Sequence, residues 1–361
     1  MKIGIVTYHR TLNYGACLQA VATRVALENL GHEVYYVDYW PKYHSQMYKT
    51  FSLKKFVSFP SLGWKYRYIQ SVLKRKKRND SFDSFLNKYI IPYCQPVTTE
   101  FDAIVYGSDQ IWRKQKSLHD YNDVYFARNS FKTKINIAFS ASMGLLPNND
   151  EDTIKIKNLL SNFDKLSVRE EDLYHFVKSL GYKDVQLTLD PTLLFTSQEW
   201  DEIIETEPYT GKAYVLVYSI GRPSSSFNLE SIRKYASMHN LELKILCGTP
   251  ETSNSEDYIT TANPFDFLKL IRNADSVFTS SFHGLVFSLL YNRDVYASFS
   301  HNSNRAKTLL DSLGMPERLI APQIKVPSLK KIDYNSVHNR LQSLKELSSN
   351  FLMMINKYSN A

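Results

Sequence analysis

The chain has little cysteine. Cys17, Cys94 and Cys247 lie far apart with no CxxC spacing. That signals neither a zinc site nor a disulfide framework, and it points to reduced thiols in a cytoplasmic chain. Long apolar runs are missing too, with nothing approaching the ~20 residues that span a bilayer. The opening MKIGIVTY has no extended apolar core or small-residue cleavage site, so it reads as a strand and not as a signal peptide. There is no GxGxxG, hence no dinucleotide fingerprint, and no repeat or low-complexity tract.

Acidic residues are absent from one stretch. Between Lys42 and Asn79 stand eleven Lys or Arg and no Asp or Glu, interleaved with Tyr43, Tyr48, Phe51, Phe56, Phe59, Trp64, Tyr66 and Tyr68. Two readings stay open. The segment docks on an anionic inner membrane surface, where basic residues and interfacial aromatics both bind, or it is a solvated basic helix whose aromatics pack inward. No nucleic-acid motif accompanies it, so nucleic acid ranks last.

What is present suits ordinary globular domains. Hydrophobic residues make up 43% and charged residues 22% of the 361, which excludes a disordered chain, and the length suggests two domains. The 25 Tyr suit either polar ligands such as sugars or surface packing. KIGIVTY, EVYYVDY, FDAIVYGS, INIAFSAS, KLSVRE and DVQLTLD read as strands. Helices are expected at 13–30, about 80–89, near 151–162 and 170–180. A second alternating unit starts near residue 212, with AYVLVYSI, LELKILCG, SVFTSS and DVYASF as strands and helices between them. Alternation of this kind implies parallel, doubly wound α/β sheets. We expect an N-terminal Rossmann-like domain over 1–200 carrying the 42–79 insertion, and a C-terminal one over 205–330. The segment 331–361 should be helical and pack back on the first domain. Two such domains facing a cleft form a GT-B-like fold, a shape that does not fix the chemistry.

Polar residues gather at the ends of expected strands, where open α/β sheets bind ligands. In TLNYGA, Asn13 suits a helix cap and Gly15 permits close approach. In GSDQIW, Asp109 either enters the cleft to orient or deprotonate a hydroxyl or caps a helix. In SVREED, Arg169 either grips an anion or pairs with a nearby Glu. LDPTLLF reads as a structural turn. SSFHG is the strongest signal: Ser280 and Ser281 supply hydroxyls, and His283 supplies an imidazole at a strand end and helix start. The loop His301-Asn302-Ser303-Asn304-Arg305 follows a later strand. There Arg305 either reaches the cleft or stays solvated behind a cap formed by Ser303 or Asn304.

Taken in order, KIGIVTYHRTLNYGACLQA, YGSDQIW, SVREED, LDPTLLF, PFDFLKLIRNADSVFTSSFHG and NSNRAKTLL resemble the polysaccharide pyruvyl transferase family over residues 1 to about 310. The resemblance implies a GT-B-like fold. It also implies transfer of a pyruvyl group from phosphoenolpyruvate to a sugar, as a cyclic ketal, with no metal or further cofactor. It makes His283 the essential histidine and Arg169 a donor-binding arginine, and we expect Asp109 to act beside His283 by orienting or deprotonating an acceptor hydroxyl. From the residues themselves we expect Ser280, Ser281, Gly284 and Arg305 to join Arg169 at the donor, and Asn13, Tyr14 and Gly15 to meet the acceptor, a sugar or lipid-linked oligosaccharide. Many relatives carry an arginine two residues before the histidine. Here that position is Ser281, and Arg305 is the candidate replacement. The competing expectations are a GT-B glycosyltransferase using a nucleotide-sugar and a non-catalytic glycan- or membrane-binding relative.

Overall fold

A computed structural model describes residues 1–47, 49–204, 209–247, 257–300 and 303–358. Tyr48 of the basic stretch, and His301 and Asn302 of the loop before Arg305, lie outside the described residues.

The strands form two parallel sheets. The first contains β1 (Lys2–Val6), β2 (Glu33–Val37), β3 (Cys94–Gln95), β4 (Glu100–Tyr106), β5 (Lys132–Ala141), β6 (Lys165–Val168) and β7 (Gln186–Leu187). Their order is β3-β2-β1-β4-β5-β6-β7. The second contains β8 (Tyr214–Ser219), β9 (Glu242–Cys247), β10 (Tyr258–Ile259), β11 (Ser276–Thr279) and β12 (Asp294–Ala297), in the order β10-β9-β8-β11-β12. Strands such as YVLVYS are buried along their whole length. Helices cover both faces of parallel sheets, so the strands read as continuous apolar runs instead of alternating ones. The fold is the α/β, GT-B-like pair of doubly wound units.

Each sheet reverses its direction of growth once, between β1 and β4 in the first and between β8 and β11 in the second. A crevice opens at such a switch point beyond the carboxyl ends of the strands. The loop after β4 carries Asp109, and the turn after β11 carries His283. The units meet through aromatic packing. Tyr14 stacks on Phe82 and on Phe267 at centroid distances of 5.2 and 5.0 Å, and Phe85 meets Phe265 at 4.9 Å. A single hydrophobic cluster therefore runs from β1 to β11. The helix Tyr334–Met353 lies against the first unit, where Phe351 stacks on Phe139 at 5.9 Å and Ser348 Oγ accepts from Leu189 N at 2.9 Å.

Two sequence expectations change. The helix expected at about 80–89 is 28 residues long, Leu62–Tyr89, and absorbs the end of the basic stretch. Ser61 caps it, its hydroxyl accepting from Trp64 N, and Lys and Arg are good helix formers. DVQLTLD pairs as a strand only at Gln186–Leu187. Asp190 then caps the short turn Pro191–Leu194 by accepting from Thr192 N, and Pro191 ends any further pairing.

Candidate active site

The turn after β11 is built by its own side chains. Ser281 is the N-cap of the helix Phe282–Leu290, its hydroxyl accepting from Gly284 N at 3.3 Å, while Ser281 N donates to Thr279 Oγ1 at 3.1 Å. Ser280 Oγ pairs with Ser219 Oγ at 3.0 Å and accepts from Ile220 N at 3.3 Å. A Cβ at Gly284 would stand 2.2 Å from Thr279 Oγ1. Ser280, Ser281 and Gly284, expected at the donor, all help to hold the turn. These contacts fix the start of the helix that carries His283, whose side chain is buried.

The opposite wall holds the residues expected to meet the acceptor. Asn13 caps the helix Tyr14–Glu28 by accepting from Ala16 N at 3.2 Å. Tyr14 is buried in the aromatic contact between units. Gly15 backs the imidazole: a Cβ there would lie 2.0 Å from His283 Nδ1. Tyr14 and Gly15 shape the histidine's seat, while Asn13 stands exposed at the start of the helix.

His283 Nε2 then faces a cluster of charges. It lies 3.4 Å from Asp190 Oδ2. The same oxygen pairs with Arg169 and accepts from Ser108 Oγ at 3.2 Å, while Asp190 Oδ1 accepts from Thr192 Oγ1 at 2.6 Å. Arg169 also holds Asp109 Oδ1 at 3.1 Å. Its nearby Glu170 is a weaker partner at 3.8 Å. Arg305 reaches the cluster and is largely enclosed, with 15% of its side chain exposed. Its carboxylates stand at the limit of ion pairing, Asp109 at 3.9 Å and Glu170 at 4.0 Å. Both guanidinium groups lie over Phe282, at 5.1 and 5.3 Å. Asn304 does not cap its helix but donates to Asp172 at 2.5 Å, and Ser303 makes no side-chain cap.

The electrostatics separate the groups. Burial raises the Asp190 carboxyl, but His283 and Arg169 outweigh it and hold it far below the usual range. Burial also opposes ionisation of Asp109, and Arg169, His283 and Arg305 again win, so Asp109 stays ionised and weakly basic. Glu170 goes the other way, since burial raises it beyond what Arg169 and Arg305 recover. Burial brings Arg305 down to about 10, with Arg169 adding to the shift. Four polar atoms remain buried without a hydrogen-bond partner: His283 Nε2, Arg169 Nε, Arg305 Nε and Glu170 Oε2. A cavity of about 130 Å³ opens beside Arg169, Asp190, Phe282 and Arg305. Such buried, unpaired groups are what a polar ligand satisfies.

The polysaccharide pyruvyl transferase family model matches residues 13–303. The chain belongs to this family. The match spans both switch-point loops. Among solved structures the chain is similar to the UDP-GlcNAc 2-epimerase of Methanocaldococcus jannaschii, at 12% identity and a TM-score of 0.48, covering 97% of this chain and 93% of that one. It is also similar to the glycosyltransferase SnogD of Streptomyces nogalater, at 11% identity and a TM-score of 0.41, covering 99% of each chain. No curated protein matches the chain significantly. Among the described residues, no group of His, Cys, Asp and Glu side chains is placed to hold a metal ion. Asp190 is the site residue that the sequence reading missed. LDPTLLF was taken for a turn, which it is, and nothing local in it signals the partners that reach its aspartate from residues 108, 169 and 283.

Proposed function

We propose that this pyruvyl transferase family member moves the pyruvyl group of phosphoenolpyruvate onto two hydroxyls of a sugar, in a surface polysaccharide or its lipid-linked precursor. The observation that carries this reading is the loosely paired Arg305 guanidinium beside His283, in a cleft between the two units. The donor is an anion with a carboxylate and a phosphate, and Arg305 is the cation least committed to protein partners. Arg169 is tied to Asp190 and Asp109, so it buttresses the site and contributes charge at a distance.

The chemistry balances with these groups. His283 donates a proton to the donor's methylene carbon, which becomes a methyl group and leaves an oxocarbenium-like centre. One sugar hydroxyl adds to that carbon, and its proton restores the histidine. The C–O bond to phosphate breaks, the second hydroxyl closes the ketal, and its proton departs with inorganic phosphate. Asp109 is the least enclosed carboxylate, with 14% of its side chain exposed against 3% for Glu170 and 0% for Asp190. Its weak basicity suits it to orient a hydroxyl by accepting a hydrogen bond. Acid–base assistance of this kind contributes about 10² to 10⁴-fold. The test is transfer of carbon label from phosphoenolpyruvate to a polysaccharide-derived acceptor, with one phosphate released per label. His283→Ala should lower the rate by that factor, and near-normal transfer in the variant sinks the assignment.

The acceptor's presentation at an anionic membrane belongs to the same reading. Four apolar residues of the long helix, Leu62, Tyr66, Ile69 and Leu73, recur at i, i+4, i+7 and i+11, which places them on one face. All are exposed, Leu62 by 84% and Tyr66 by 65%. Of residues 62–77 only Tyr68 is buried. The aromatics divide, since Phe51, Phe56 and Phe59 pack locally around Tyr68 while Trp64 and Tyr66 stay open. An uncovered apolar face amid eleven cations and no acids is the pattern of an interfacial helix on anionic lipid. No described helix is long and apolar enough to cross a membrane.

A further inference from the structure

A second cavity, of about 630 Å³, opens on the first unit with none of the His283 cluster residues in its lining. Its volume falls in the ~300–1,000 Å³ range of small-molecule sites. The half-buried rings of Tyr39, Trp40 and Tyr43 line it, with Asn122 and Asp123 as polar groups. The Asn122 amide donates to Tyr39 Oη at 3.1 Å and to Tyr43 Oη at 3.0 Å, which fixes both rings. Behind them the buried His44 packs against Tyr8, Trp40 and Tyr43 at centroid distances of 4.9, 4.9 and 4.6 Å. The platform is thus built before any ligand arrives. Lys42 and Asp123 are the charged residues in its lining, so an anion finds little to neutralise it there. A sugar ring has apolar C–H faces and a rim of hydroxyls. Ordered aromatic faces beside hydroxyl and carboxylate groups match both features.

The cavity also lies on the active-site rim. Tyr39 follows β2 and Asp109 follows β4, with β1 between them. Neighbouring strands are about 4.8 Å apart, so these strand ends are separated by roughly 10 Å. Tyr8, after β1, bridges the gap. Its hydroxyl donates to Gln110 O at 3.2 Å, next to Asp109, and its ring packs on His44.

We infer that this cavity binds saccharide, namely the units of the acceptor chain that neighbour the sugar being modified. The acceptor role rests on the pyruvyl-transfer reading, whereas saccharide binding rests on the cavity alone. The probe is an array of bacterial surface oligosaccharides offered to the full chain, followed by titration of the tightest binder. Trp40→Ala and Asp123→Ala should each weaken that affinity at least tenfold. Thermal stability and the response to phosphoenolpyruvate should stay unchanged. Asp123→Ala alters a half-exposed residue of a surface turn and stays folded even if Trp40→Ala does not. Absence of oligosaccharide binding by the unmodified protein, or unchanged affinity in Asp123→Ala and a folded Trp40→Ala, overturns the inference. Failure of the transfer reading looks different: oligosaccharide binds and is lost in the variants, while phosphoenolpyruvate has no effect on the unmodified protein.

Discussion

Gly15 of the first unit and His283 of the second are in contact, with no room for a methyl group between them: a Cβ at 15 would fall 2.0 Å from the imidazole Nδ1. The loop that opens the first helix thereby sets the position of a residue nearly 270 positions later in the chain. Gly15→Ala should push the ring off its line to the cleft. The expected result is a fall of at least tenfold in transfer rate with a small change in melting temperature. Stabilisation by phosphoenolpyruvate should persist, because Arg305 is untouched. Equal losses of rate and donor binding would mean that the loop collapses instead.

Asp190 is fully enclosed between Arg169 and His283. Removing one partner of a buried ion pair leaves an uncompensated charge and costs about 3–5 kcal/mol. Asp190→Asn should lose that much in urea unfolding. Combining it with Arg169→Met should cost less than the sum of the two single changes, since neither charge is then stranded. Additive losses would show that the pair is not coupled.

Two histidines outside the cluster set the acid limb of stability. Burial lowers His9 and His44 from 6.5 to about 4. The unfolded chain therefore takes up protons first as pH falls. Each histidine supports the fold fully above pH 6.5 and loses that support between 6.5 and about 4. Melting temperatures measured across this window should drop, and the drop should shrink in His44→Phe. A flat profile above pH 4 would contradict the burial of both rings.

Much of this architecture was legible because parallel strands advertise themselves. YVLVYS and SVFT are apolar throughout, and the polar turns TLNYGA, GSDQIW and SSFHG sit where those runs end. The motif residues His283, Asp109, Arg169 and Arg305 do converge. The roles of their neighbours were only partly legible. Asn13 reads as a helix cap and is one, but the bracing roles of Ser280 and Ser281 carry no local signal, because capping uses the same side chains that bind substrates. Asp190 escaped notice because its partners come from three distant loops, and tertiary contacts of that kind leave no local pattern. A basic helix was one of the two readings of the 42–79 stretch, but its continuity with the helix at 80–89 was not legible, because it has few buried residues and no apolar period toward the core.

The exposed stripe on that helix predicts binding to vesicles containing anionic lipid at low salt, weakening as salt rises. Basic residues near such a surface contribute ~1 kcal/mol each. Replacing Arg75, Lys76, Lys77 and Lys74 by glutamine should therefore lower vesicle affinity by roughly a thousandfold. Leu62→Ser with Leu73→Ser should weaken it too, which simple counterion attraction to nucleic acid would not show. A protein that ignores anionic vesicles at low salt refutes the docking.

The most direct measurement is thermal stability with and without millimolar phosphoenolpyruvate, repeated with a panel of nucleotide-sugars. A ligand that binds only the folded state raises stability by about 2.7 kcal/mol at a hundredfold excess over Kd. The account predicts a rise with phosphoenolpyruvate that Arg305→Ala abolishes and His283→Ala reduces. A rise with one nucleotide-sugar and none with phosphoenolpyruvate would contradict it and make the cleft a glycosyl-transfer site.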